Sequence, residues 1–238
     1  IRRGAADIVI AGGTEGLSHE AAIAGFGRMG GLTENYNDDP TRASRPFDKN
    51  REGFVLSEGA GVVILEQLDH AIARGVQIYA ELMGHASSSD AFHMAAQDPK
   101  AAGAVRAMRW ALEDGGVPLD GVDYINAHGT STQMNDFTET MAIKSLFGDQ
   151  AYNIPVSSNK SLMGHAMGAT GAIEAIFSIY TLRNSLIPAT YNYDTPDPDC
   201  DLDYVPNAPR AAKVDTVLSN SFGLGGQNAC LVVKKYKQ

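Results

Sequence analysis

The chain comprises 238 residues, 44% of them apolar, with 28 acidic and 19 basic side chains that leave a net charge of -9. That length supports a full buried core in one large domain or two modest ones, and the acidic balance argues against nucleic acid, which needs a clustered positive surface. Cys200 and Cys230 are too few for a disulfide framework and lack metal-ligand spacing. No apolar run approaches membrane-spanning length and no signal-peptide pattern is present, so the expectation is a soluble protein of the cytoplasm or, in a eukaryote, of an organelle stroma or matrix.

In chain order, Ile1-Arg2-Arg3-Gly4 reads as the end of a helix entered without its earlier turns, which predicts that the chain is the later part of a longer protein. Short apolar runs then predict strands over 7–11, 59–66, 78–85, 122–127, 154–157, 214–219 and 229–234. Helical patterns fall between them, over 20–26, 69–74, 101–115, 138–147 and 168–184. This alternation predicts an α/β architecture with covered sheets. The polar stretch 27–51 is too long for an ordinary connection and is expected to be a functional surface loop. Residues 190–209, with Pro196, Pro198, Pro206 and Pro209, are expected to run extended along the surface.

Two histidines stand apart from His19, His70, His85 and His93, which are read as structural. His128 lies in Asn126-Ala127-His128-Gly129-Thr130-Ser131-Thr132, and His165 in Asn159-Lys160-Ser161-Leu162-Met163-Gly164-His165-Ala166-Met167-Gly168. Each follows a strand candidate and precedes a helix candidate, the place where open α/β sheets bind ligands. A third segment, Asn220-Ser221-Phe222-Gly223-Leu224-Gly225-Gly226-Gln227-Asn228, offers backbone N–H groups to an anion. Together they point to an enzyme that stabilises a developing oxyanion. Zinc is disfavoured because no Cys-x-x-Cys or His-Glu-x-x-His accompanies the histidines, and a nucleotide loop because the glycine spacing is wrong. In the last long helix, Ile173, Ile176, Phe177 and Tyr180 form an apolar stripe that leaves Glu174 in need of a cation, for which Lys160 is the candidate. Asp136 and Glu139 read equally well as helix-start charges, and Thr130 and Thr132 as helix caps.

These segments resemble, in order, the C-terminal part of an elongating beta-ketoacyl-acyl carrier protein synthase of the thiolase fold. Ala11-Gly12-Gly13-Thr14-Glu15, Ala43-Ser44-Arg45-Pro46-Phe47-Asp48, Gly53-Phe54-Val55-Leu56-Ser57-Glu58-Gly59-Ala60-Gly61, Ser88-Ser89-Asp90-Ala91-Phe92-His93 and Cys200-Asp201-Leu202-Asp203-Tyr204-Val205-Pro206 extend the likeness over the whole chain. It implies a layered αβαβα core. Residues 1–80 would close the N-terminal thiolase-like half and 81–238 would form the C-terminal half.

The resemblance further implies decarboxylative condensation of malonyl-carrier protein with an enzyme-bound acyl group. His128 and His165 match the histidines that stabilise the enolate, Lys160 the family's lysine, and Asp136, Glu139 and Glu174 its supporting acids. Thr130 and Thr132 match pantetheine contacts, with Phe222 beside the substrate and Gly223 and Leu224 at the oxyanion hole and gate. Asn126, Glu174, Ser219 and Asn220 match a monovalent-cation position of some relatives. No cofactor is implied, since the pantetheine arm belongs to the acyl carrier protein. The partners implied are that carrier protein, malonyl and acyl thioesters and, for the complete protein, a second copy in a homodimer; neither nucleic acid nor membrane is implied.

The family's nucleophilic cysteine is expected upstream of residue 1, so these residues alone are expected to be inactive. Fatty acid elongation is the first reading. A polyketide ketosynthase, or a catalytically silent thiolase-fold partner subunit, is the alternative. Three departures accompany the likeness: Leu224 where relatives carry a gating phenylalanine, the less basic loop from Gly30 to Tyr36, and Gln133-Met134-Asn135 before Asp136.

Overall fold

Each of the seven strand patterns and five helical patterns becomes an element, with boundaries moved by a few residues, in a computed structural model that describes residues 1–237. The order is β1 (Ile8–Glu15), α1 (Glu20–Arg28), β2 (Gly59–Glu66), α2 (Leu68–Ala73), β3 (Glu81–Ser89), α3 (Ala102–Asp114), β4 (Tyr124–Asn126), α4 (Gln133–Phe147), β5 (Val156–Ser157), α5 (Lys160–Met163), α6 (Met167–Asn184), β6 (Leu186–Ile187), β7 (Arg210–Ala211), β8 (Thr216–Gly223) and β9 (Gln227–Lys234).

Strands β1 and β2 form an antiparallel pair with Ile10 opposite Ile64. A five-stranded sheet follows in the order β3-β9-β8-β4-β5, antiparallel across its first three strands and parallel from β8 through β4 to β5. Helix α6 lies between the two sheets, against β1 and β2 on one side and β8 and β9 on the other. Helix α3 covers the far face of the larger sheet, because Ala104, Ala107, Met108, Ala111 and Leu112 recur at helical spacing and are all buried. Burying Met108 and Leu112 alone contributes on the order of 1.5–3 kcal/mol each. The layers therefore run sheet, helix, sheet, helix.

Close approach of α6 to the small sheet depends on missing side chains. A Cβ on Gly13 would lie 2.3 Å from the Gly168 carbonyl oxygen, and one on Gly61 would lie 2.8 Å from the Ile173 nitrogen. The other face of the pair departs from the expectation of covered sheets. Ile8, Ile10, Val62 and Ile64 share that face and are exposed, Ile10 at 74%, because no helix among the described residues packs on it.

Both long polar stretches also depart from the surface paths expected of them. Ser44 to Asp48 and Arg51 are buried, and so are Cys200, Leu202, Tyr204 and Val205. The two stretches bury each other: Phe47 stacks on Tyr204 with ring centroids 4.0 Å apart, and Asp48 Oδ2 accepts the Asp194 and Thr195 N–H groups, each at 2.7 Å. Prolines made the second stretch look solvent-bound, but the apolar side chains between them outweigh that signal by entering the core.

Candidate active site

His128 sits where the chain leaves β4 and turns into α4. Its N–H and that of Gly129 donate to the two oxygens of Glu139, at 2.9 and 2.8 Å, so a carboxylate nearly two helical turns inside α4 clamps the turn from below. Asp136 holds the next layer, accepting from the Phe47 N–H at 2.8 Å, the Ser131 N–H at 3.3 Å and Asn135 Nδ2 at 3.0 Å. Arg51 Nε stands 3.5 Å from the same carboxylate, while its Nη1 reaches Asp197 at 2.5 Å. Asp136 does lie in the first turn of α4, as the helix-start reading has it, and Glu139 lies deeper in the helix; both are fully buried. Burial pushes both carboxyls upward, against the donors that surround them.

His165 does not occupy a simple strand-to-helix junction as expected. The chain leaves β5, makes the single turn α5, and reaches His165 in the gap before α6. Gly164 there has φ +70, and its Cβ position lies 2.9 Å from the Val55 carbonyl, so only glycine delivers the histidine at this point. Residues 55–57 then grip the main chain: His165 N–H donates to Val55 O at 2.7 Å, and Ser57 N–H to His165 O at 3.1 Å. Left-handed backbone occurs at non-glycine residues of the same region, with φ of 64 at Phe47, 71 at Ser131 and 36 at Met167.

The two imidazoles meet edge to face with centroids 5.3 Å apart. Phe54 packs on His165 and Phe222 on His128, at 5.6 and 5.8 Å. Lys160 lies beneath, 1% exposed, with Nζ 2.5 Å from Glu174 Oε1, 2.5 Å from the His128 carbonyl and 3.5 Å from His128 Nδ1. An ammonium paired with a carboxylate only donates, so His128 Nδ1 is an acceptor and its neutral-ring proton is assigned to Nε2. Thr170 Oγ1, 3.2 Å from His165 Nδ1, can fix the second ring in the same tautomer. Burial depresses both imidazoles, with help from the positive Lys160: His128 falls well below 6.5 and His165 falls to about 3. Both rings are therefore neutral hydrogen-bond donors near pH 7.

The glycine segment is more ordered than a free amide loop. Strands β8 and β9 continue to Gly223 and Gln227, leaving a three-residue hairpin turn. Within it the Gly225 N–H donates to Met94 O at 2.9 Å and the Gly226 N–H to Gly223 O at 3.2 Å. Of the turn's amides, the Leu224 N–H alone has no acceptor among the described residues. The Leu224 side chain is 51% exposed. Thr130 and Thr132 share a 2.9 Å hydroxyl contact, and Thr132 caps α4 by accepting the Asn135 N–H at 3.3 Å.

The cation position divides. Asn159 Oδ1 and Glu174 Oε2 are buried oxygens without a donor. Asn159 also donates to Asn126 Oδ1 at 2.6 Å, and Asn126 to Ser219 Oγ at 3.1 Å. Unpartnered buried oxygens, one of them on a carboxylate, suit a monovalent cation, and Asn159 and Glu174 are the side chains that offer them, while Asn126 Oδ1 and Ser219 Oγ already accept hydrogen bonds. The Asn220 side chain does not join them: its Nδ2 donates to Glu139 Oε1 at 3.1 Å and its Oδ1 faces Cys230 Sγ at 3.3 Å.

Model matches cover residues 1–71 with the beta-ketoacyl synthase N-terminal domain and residues 79–194 with the C-terminal domain. The chain belongs to the beta-ketoacyl synthase family. A 3-oxoacyl-acyl-carrier-protein synthase 2 from Synechocystis is 51% identical over 237 residues, covering 100% of this chain and 57% of the relative. The same-named protein of Coxiella burnetii is 50% identical, covering 97% and 55%. The chain thus spans little more than half the length of these relatives.

A solved structure described as a type II PKS acyl-carrier protein in complex with its ketosynthase bound to the hexaketide superposes with TM-score 0.97 at 40% identity, covering 100% of this chain and 58% of that one. A beta-ketoacyl synthase from Burkholderia phymatum gives 0.93 at 39%, covering 99% and 56%. The fold is accordingly thiolase-like. In this ketoacyl synthase chain, sequence reasoning passed over Arg51, Asn159 and Thr170. A buried arginine becomes visible only once two acids from distant segments surround it; Asn159 and Thr170 had a signal, polar residues flanking the His165 turn.

Proposed function

We propose that this chain carries the enolate-stabilising part of a beta-ketoacyl-acyl carrier protein synthase, acting on malonyl- and acyl-carrier protein. The observation that carries the reading is the pair of imidazoles 5.3 Å apart, with Lys160 Nζ 3.5 Å from one Nδ1 and Thr170 Oγ1 3.2 Å from the other, an arrangement that leaves each Nε2 to donate. As the malonyl carboxylate leaves as carbon dioxide, the C–C bond pair moves onto the thioester and its oxygen becomes anionic. Two N–H donors toward that oxygen stabilise charge that is absent from the ground state. The enolate carbon then attacks the acyl thioester, whose thiolate departs. Burial, with the positive Lys160, keeps the rings neutral, and Glu174 holds Lys160 in place beside His128.

The acyl-carrying thiol is neither cysteine of this chain. Cys200 and Cys230 are buried, and burial pushes Cys200 up to about 11 and Cys230 well above the usual thiol range. Fatty acid elongation is favoured over polyketide synthesis because the most similar relatives reported above, at 50% identity and more, are 3-oxoacyl synthases. Carrier protein is the partner supported, in view of the carrier-protein complex among the similar structures. A cation at Glu174 would supply only a compensating positive charge. The reading includes a homodimer, a cytoplasmic or organellar location, no resident organic cofactor, and two halves that meet near residue 80, close to the junction of the two family matches. Among the described residues no helix is long and apolar enough to cross a membrane.

In the intact protein, His165→Ala should abolish carbon dioxide release from malonyl-carrier protein while leaving cysteine acylation largely intact. Equal decarboxylation by variant and parent would refute the assignment.

A further inference from the structure

Residues 90–99 form a loop without regular structure between β3 and α3. One side of it is stitched to the β8–β9 turn: the Asp90 N–H donates to Gly226 O at 2.8 Å, the Gly225 N–H to Met94 O at 2.9 Å, and Asn228 Nδ2 to Asp90 Oδ1 at 2.7 Å. On its other side, among the described residues, a single side-chain hydrogen bond joins it to α4, from Gln97 Nε2 to Asn135 Oδ1 at 2.8 Å. Asn135 belongs to the Gln133-Met134-Asn135 departure for which the sequence suggests no purpose.

The orientation of this bond is dictated from below. Asn135 Nδ2 lies 3.0 Å from Asp136 Oδ1, and a carboxylate accepts only, so the amide oxygen must face the loop. Gln97 is then obliged to donate through Nε2, and its Oε1 is left buried with no partner. A small cavity bounded by Gln97, Asp98, Thr138, Phe222 and Asn228 lies behind it, and Phe222 is the ring that packs on His128. One gained hydrogen bond set against one orphaned acceptor makes a contact of small net strength, which opens readily and rehydrates Oε1 when it does.

We propose that Asn135 is a positioning residue that latches the 90–99 loop, through Gln97, onto the buried Asp136 beneath the His128 turn. The latch ties the loop, already stitched to the β8–β9 turn, to the N-terminus of α4 beside the Phe222 cavity. Its relevance to turnover rests on the function proposed above; its existence does not.

The test is hydrogen exchange of the 91–99 amides in the intact protein, for Gln97→Met, Asn135→Ala and the double variant. Each single substitution should speed exchange there by roughly twofold, the population change expected from losing a hydrogen bond that its orphaned acceptor partly offsets. The double variant should exchange no faster than the faster single, and β8 and β9 should be unaffected. Gln97→Met leaves Asp136 untouched, so a folding defect confined to Asn135→Ala leaves the test decided by Gln97→Met. Unchanged loop exchange in Gln97→Met, or multiplicative effects in the double variant, would overturn the latch. Condensation rates on the same variants answer separately: a changed kcat at constant KM connects the latch to catalysis, and unchanged kcat with faster loop exchange refutes that connection alone.

Discussion

Replacing Lys160 with methionine keeps the side-chain volume and removes the charge that Glu174 faces at 2.5 Å. Both partners are at most 1% exposed, so the carboxylate cannot find water in exchange, and breaking such a pair costs about 3–5 kcal/mol. The cost depends on pH in a direction the structure determines. Burial already lifts Glu174 from 4.5 to about 7 against the pull of Lys160, with Glu139 adding repulsion. A folded-state value above the unfolded one means the native protein holds its proton more tightly. This group's contribution is then complete below about pH 4.5 and is lost as pH rises through 7, by on the order of 3 kcal/mol in total. Without Lys160 the carboxyl rises further, and the loss continues to higher pH. Urea unfolding of the intact protein should therefore show a deficit for Lys160→Met that is small at about pH 5 and full at about pH 9. Adding Glu174→Gln should recover most of it, since a neutral pair has no stranded charge. A deficit independent of pH, or additive losses in the double variant, would refute the electrostatic account of this cluster.

The histidines impose the opposite slope. With His165 held near 3 against 6.5 unfolded, stability should fall as pH drops from 6.5 toward 3, and His165→Gln should flatten that acid limb by on the order of 5 kcal/mol in unfolding titrations. Gly13→Ala should lower stability by about 1–3 kcal/mol in chemical denaturation, because its Cβ would meet the Gly168 carbonyl oxygen at 2.3 Å; an unchanged midpoint would mean α6 can retreat freely. Leu224→Phe should shift the acyl-length preference of the intact enzyme, measured by competition between short and long primers, and unchanged competition would dissociate that exposed position from selectivity.

Element types were legible because their signals are local. The short apolar run of β2 and the 3–4 spacing of Ala104, Ala107, Met108 and Ala111 in α3 announce themselves within one window of chain. The candidate histidines were legible for a related reason, each sitting in a glycine-bearing polar turn at the end of a predicted strand. The pairing of Glu174 with Lys160 followed from the cost of an isolated buried charge.

What sequence by itself determined was thus composition class, element order and the residue types able to support oxyanion chemistry. Tertiary structure alone decided that 43–51 and 194–205 bury each other, that Arg51 and Asp136 meet, that Asn220 turns toward Glu139 and away from Asn126, and that Gln97 reaches Asn135. These contacts join residues tens to more than a hundred positions apart, and their strength arises only when burial removes water from both partners at once. A local pattern carries no record of that shared desolvation.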